Sequence, residues 1–295
     1  MQPTGSVHYF LGEFDEALSL LLKSKVIAES IGNLYAQGGV AEFTGRVYLE
    51  QGEIGRVIRK MRAATRIEGM SEIKFMFTNL NHILGYAYLE AGVLNIAADH
   101  ATVAVEAAAG LPFFLSQVAQ ALQARISLLL GDVERARQTF ATIGEMDAET
   151  TSLFKFYLVP ISFAGIEIDL ALGREDAAIS KVALVSAITD KLPLKIFLPE
   201  ALYLKGRTLL AQGQVVAAKA ALAQAQGVAV EIGNRRILWQ ILVVQAEAAE
   251  DVASAAQLRE LARTEVNFLA EQMGSAELQA SFLARPDVQQ VMTAT

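Results

Sequence analysis

Six positions before each of five regularly spaced glycines stands a residue with a polar tip: Arg46, Tyr86, Arg125, Glu167 and Arg207. Counting back from Asp251, where a further turn has lost its glycine, adds Gln245. Four positions earlier the same helices carry Glu42, His82, Ala121, Phe163, Tyr203 and Ile241, and Asn79 joins them one helical step before His82. If these residues share one groove, their guanidinium, carboxylate, phenol, imidazole and amide groups suit charge-assisted hydrogen bonds to a polar or anionic ligand. A helix face that simply meets water shows the same composition, so both readings stand. The three arginines of an acidic chain favour a ligand, and the tip of Arg125 is expected to be solvated. Three residues nearer each turn, Leu49, Leu89, Leu128, Leu170 and Leu210 read as core.

Other chemistry is hard to place on this chain. A phosphate loop needs Gly-Lys-Ser/Thr after a glycine-rich turn, and no Gly-Lys pair occurs. The histidines His8, His82 and His100 stand at no metal-ligand spacing, and there is no cysteine. We therefore expect no catalytic residue, no metal and no cofactor, and a binding scaffold instead of an enzyme; an all-α enzyme is the rival class. A basic run, Arg56, Arg59, Lys60, Arg62 and Arg66, could dock an acidic partner but reads more simply as a solvated helix face. A net charge of −7 disfavours direct nucleic-acid binding.

The elements that must carry the ladder are marked by Gly12, Gly52, Gly92, Gly131, Gly173 and Gly213, a period near 40. Five residues after them come Ala17, Val57, Ala97, Ala136, Ala178 and Ala218. This pattern predicts an all-α, right-handed superhelical solenoid of about seven helical hairpins. Inner (A) helices are expected at 34–51, 72–91, 112–130, 151–172, 195–212 and 235–250. Outer (B) helices are expected at 14–31, 53–69, 93–109, 132–144, 174–190, 214–231 and 252–273. Ser71 and Ser152 are candidate caps, and Pro160 is expected to kink or break its helix. The chain reads as a single solenoid over 1–295, with a truncated first repeat at 1–31 and capping helices over about 252–295.

Hydrophobic residues at 53% supply enough apolar surface for a folded core, and 19% charged residues argue against disorder. No secretory signal or continuous membrane span is read, so a cytoplasmic location without membrane attachment is expected. Because only eleven residues precede Gly12, Phe10, Leu11 and Phe14 should be poorly covered. Self-association through that end, or poor order there, would follow.

Leu84-Gly85, Tyr88, Gly92 and Ala97 resemble the tetratricopeptide-repeat pattern in order and spacing, and Gly45, Tyr48 and Gly52 repeat half of it. The longer period, with the endings Glu29-Ser30-Ile31-Gly32-Asn33 and Glu231-Ile232-Gly233-Asn234, is similar to the long repeats of MalT-like signalling regulators. The tail Leu278–Val288 resembles the ends of bacterial multidomain proteins of this kind. The resemblance implies a sensor module that binds a partner protein, a peptide or a small effector in its concave groove, within a larger regulator. A peptide-pheromone-type receptor is the alternative, although no helix-turn-helix is evident.

Overall fold

The computed structural model describes residues 2–144 and 155–293, which are 82% helical and contain no strand. Sixteen α-helices follow in order: α1 Gln2–Leu11, α2 Phe14–Ser30, α3 Leu34–Glu50, α4 Ile54–Thr65, α5 Lys74–Glu90, α6 Leu94–Ala107, α7 Phe113–Leu129 and α8 Val133–Ala141. Then come α9 Lys155–Ala171, α10 Glu175–Thr189, α11 Leu198–Ala211, α12 Val215–Ile232, α13 Arg235–Glu247, α14 Val252–Glu271, α15 Ala276–Leu283 and α16 Pro286–Thr293. The odd helices from α3 to α13 form the inner layer and the even ones the outer layer. All six turn glycines take left-handed φ values between 64° and 81°, a conformation that closes a helix cheaply only without a Cβ. The six residues placed five positions later are fully buried. Small side chains there let paired helices approach closely.

Two local expectations change. Ser71 lies inside a 3-10 turn, Met70–Glu72, and α5 starts after Ile73 with no side-chain cap. Pro160 does not break α9: the helix runs continuously from Lys155 to Ala171. The proline falls in the second turn, so only the bond to the Phe156 carbonyl is given up. Ser152 lies outside the described residues. Of the described helices only α12 is long and apolar enough to cross a membrane. Here it packs between α11 and α13, with Ala218, Leu222, Ala225 and Ala229 buried.

The superhelix comes round until its two ends meet. Gly12 faces Ile232, Gly52 faces Leu269, and Gly92 faces Ser281 and Arg285. The backbone of Gly55 meets that of Gly274, and its N–H donates to the Gln272 carbonyl at 2.9 Å. Gly131, Gly173 and Gly213, on the middle units, face nothing within 4 Å.

This closure overturns the expected exposure of the N-terminal end. Tyr9 and Phe14 are buried in a cluster with Val47, Ile196 and Ile232. Phe10 sits 5.1 Å from the Phe156 ring and 6.2 Å from that of Phe197. The cover that a longer first helix would have given comes from the far side of the ring.

Gly92→Val should therefore cost more stability than Gly173→Val. Both force a β-branched residue into positive φ, worth about 1–2 kcal/mol. Only at Gly92 does the new Cβ also come within 2.9 Å of the Ser281 carbonyl oxygen. Equal urea midpoints for the two variants would show that α15 contributes nothing to holding this turn.

Candidate functional site

The inner faces of α3, α5, α7, α9, α11 and α13 border two neighbouring cavities of about 270 Å3 and about 480 Å3. The first has aromatic walls, among them Phe43, Phe156, Phe163 and Phe197, and Tyr35 marks its rim at 51% exposure. Glu42, Arg46, His82 and Tyr86 supply polar atoms to the same wall. Helical spacing puts Glu42 and Arg46 one turn apart on α3, where the Arg46 guanidinium donates to Glu42 Oε1 at 3.1 and 3.2 Å. From α5, Asn79 Nδ2 donates to the other carboxylate oxygen at 3.3 Å. Burial pushes the Glu42 carboxyl above its ordinary range against the opposing pull of Arg46. Burial, reinforced by Arg46 and Arg125, pushes the His82 imidazole down to about 3, so it is neutral near pH 7. Its Nδ1 is buried without a hydrogen-bond partner.

A buried ion-pair network borders both cavities. Arg125 on α7 grips Glu167 on α9 through Nε and Nη2, at 2.8 and 2.9 Å, and Nη2 also reaches Glu200 on α11 at 3.1 Å. Its Nη1 donates to the Tyr86 hydroxyl of α5. Glu200 in turn accepts from Arg236 Nη2 at 2.7 Å. The Arg236 Nε donates to Glu50 on α3 at 3.0 Å, and its Nη1 reaches Glu90 on α5 at 3.4 Å. Asn234 adds a 2.9 Å bond to Glu50, and Arg285 donates to the Glu90 backbone carbonyl at 2.8 Å. The network thus links residues of all six inner helices, joining units 186 positions apart.

Charges arranged this way titrate unequally. Burial raises Glu200, but Arg236 and Arg125 together outweigh it and hold its carboxyl below the ordinary range. At Glu50 burial prevails over the attraction of Arg236, with Glu200 and Glu90 adding repulsion, and the carboxyl is raised.

The second cavity is walled by Leu89, Leu128, Leu170 and Trp239, with Tyr203 and Arg207 among its polar residues. The Arg207 guanidinium lies 5.6 Å from the Tyr203 ring centre. Most of the predicted ladder is therefore brought together: Glu42, Arg46, His82 and Tyr86 at the first cavity, and Arg125, Glu167, Tyr203 and Arg207 at the second. Asn79 stands behind Glu42, only 3% exposed.

Two expectations need correction, those for Gln245 and for the tip of Arg125. Gln245 lines neither cavity; it faces a shallow depression with Lys219, Leu222 and Ser254. The turn after α13 is formed differently, so counting back from Asp251 shifts the register, and Arg236, Gln240, Val243 and Glu247 take the inner face. The Arg125 side chain is 12% exposed and ion-paired, not solvated. Leu49 and Leu89 are core as read, with Leu170 and Leu210 packed against the same cluster, and Leu49, Leu89, Leu128 and Leu170 also line the cavities, since a three-residue step keeps the same helix face. In the basic run, Arg56 pairs with Glu53 and lies 4.2 Å from the Tyr48 ring centre, while Arg59 lies over Gly274 where the ring closes.

Sequence reasoning missed Glu50, Glu90, Glu200, Arg236 and Arg285. For the first two a signal existed: each stands two residues before its turn glycine, in consecutive units. Glu200, Arg236 and Arg285 occupy no repeated position, so only the closed ring reveals them.

No protein-family model and no curated protein matches this sequence. Among solved structures, the crystal structure of a Rap protein complexed with Competence and Sporulation Factor is similar, with a TM-score of 0.59. The match covers 99% of this chain and 96% of that one at 11% identity. Such a likeness establishes the fold: this chain is a tetratricopeptide-like helical-repeat solenoid.

Proposed function

We propose that the chain is a non-catalytic sensing and interaction module that takes a peptide or small effector into its central cavity. In this reading it is the sensor part of a larger cytoplasmic signalling regulator of the MalT-like kind. The observation that carries it is the buried ion-pair network on the cavity walls. Such networks contribute little net stability over apolar packing. Placed where six helices converge, this one couples anything bound in the cavity to the way distant units hold each other. The ligand would displace or tighten individual pairs, and the pitch of the superhelix would follow. The fold shared with a Rap protein complexed with Competence and Sporulation Factor supports the same reading.

Panning a random peptide library against the purified chain, followed by hydrogen-exchange mass spectrometry with enriched peptides, tests it. Protection is expected on the inner helices α3, α5, α7, α9 and α11. Protection confined to α4, α6, α10 and α12 would place binding on the outer face and remove the proposal. So would the failure of any peptide to bind, together with no small molecule co-purifying on native mass spectrometry.

A further inference from the structure

Of the three ladder arginines, two are already held by carboxylates: Arg46 by Glu42, and Arg125 by Glu167 and Glu200. Arg207 on α11 is not. No carboxylate among the described residues lies within ion-pairing distance of its half-buried side chain. Its guanidinium stands 5.6 Å from the ring centre of Tyr203, and both residues line the second cavity. Burial raises the Glu167 carboxyl on the same wall, while Arg125 and then Arg207 pull it back down. The Arg207 charge therefore lies near two groups that border the cavity. A guanidinium partly withdrawn from water without a counter-charge is costly to the fold.

The rest of the wall decides which anion suits it. Leu128, Leu170 and Val243, all half-buried, offer apolar surface. Three carboxylates of the wall are paired: Glu90 with Arg236 and Arg285, Glu167 with Arg125, and Asp287 with Arg285. Glu247, exposed on the same wall and without such a partner, disfavours a ligand with a second negative charge. At about 480 Å3 the space is about threefold the roughly 150 Å3 apolar cavity that holds benzene in an engineered protein.

We infer that the second cavity receives the single carboxylate of an apolar acid, which pairs with the Arg207 guanidinium while its hydrocarbon part lies against Leu128, Leu170 and Val243. This deepens the proposed function by naming the chemistry that the inner face selects, and it rests on that reading only for the inner face being the binding surface. It narrows the anion site suggested by the arginine ladder to one of its members. The acid could be the C-terminal residue of a peptide or a free small molecule.

The test uses N-acetyl-L-leucine, N-acetyl-L-leucinamide and acetate with the full chain. Trp239, the one tryptophan of the sequence, lines the cavity and reports binding by fluorescence, with calorimetry as the second reading. N-Acetyl-L-leucine should bind at least about tenfold more tightly than its amide, the discrimination expected of a hydrogen bond to a charged group. Acetate, which lacks the apolar part, should also bind at least about tenfold more weakly than N-acetyl-L-leucine. Arg207→Met should abolish the preference for acid over amide and leave the melting temperature close to that of the wild type, because no ion pair is lost. Arg207→Lys should keep a preference for the acid. Equal binding of acid and amide by the wild-type chain would overturn the inference, as would a preference that persists in Arg207→Met or displacement of the acid by an equal concentration of inorganic phosphate. A melting temperature lowered by Arg207→Met as far as by Arg125→Met would mean that Arg207 is paired within the fold, and would overturn it too. Synthetic library peptides that bind with a free C-terminus and not with an amidated one place the acid on a peptide. If N-acetyl-L-leucine binds through Arg207 and no peptide binds the inner face, the inference stands and the peptide form of the proposed function fails. Peptides that bind the inner helices, while the acid shows no preference over its amide, preserve that function and remove this inference.

Discussion

Arg236→Met should cost the fold about 3–5 kcal/mol, the range seen when one partner of a buried ion pair is removed. The guanidinium is 6% exposed and serves Glu50, Glu90 and Glu200 at once, so its loss leaves three buried carboxylates short of a counter-charge. The pH dependence distinguishes this cause from simple loss of packing. In the wild-type chain Glu200 is depressed, so its stabilisation is present above the ordinary value of 4.5 and is lost as pH falls through its lower folded value. Glu42 and Glu50 are raised by burial, so folding gains stability as pH falls from neutral through their folded values toward 4.5. Without Arg236, Glu200 loses its main attraction and is expected to behave as Glu50 does. The deficit of the variant in urea unfolding should then narrow between about pH 7 and about pH 5. A deficit constant across that window, or one below about 1 kcal/mol, would mean that these carboxylates find other partners.

Gly55→Val should open the ring. A Cβ at Gly55 would stand 2.7 Å from both the Gly274 Cα and the Met273 carbonyl oxygen, and backbone atoms cannot turn aside as a side-chain tip can. The 2.9 Å bond from Gly55 N–H to the Gln272 carbonyl goes with the contact. The expected cost is about 3 kcal/mol, the upper part of the range for overpacking. Its location matters more than its size. Hydrogen exchange should accelerate across α14 to α16, and small-angle scattering should show a larger radius of gyration. Gly227→Val on α12, where a Cβ meets nothing within 4 Å, should leave exchange in α14 to α16 unchanged. Unaltered exchange in Gly55→Val itself would show that closure does not depend on this backbone contact.

The near copies Ile31-Gly32-Asn33 and Ile232-Gly233-Asn234 separate what was legible from what was not. Their sequence predicts a helix end, a left-handed glycine and a new helix start, and both deliver it, with Gly32 at φ 64° and Gly233 at φ 71°. Beyond that they diverge. Asn33 caps its own helix by accepting from Ala36 N–H at 2.9 Å, and Ile31 is 67% exposed. Asn234 makes no side-chain cap; it reaches Glu50 across the ring, and Ile232 is 6% exposed against Gly12. The same local word has two tertiary meanings.

The amino-acid sequence by itself determined the helices, their pairing and the inward ladder of Arg46, Tyr86, Arg125, Glu167 and Arg207. Those depend on interactions within a turn or between adjacent units, where the 3.6-residue period and the turn glycines act directly. Only the tertiary structure decided that the superhelix closes, that Arg125 is buried by Glu167 and Glu200, and that Glu50 meets Arg236. Closure sums a small rotation over many units. No single repeat encodes that total, and residues brought together by it, such as Glu200 and Arg236, need obey no period.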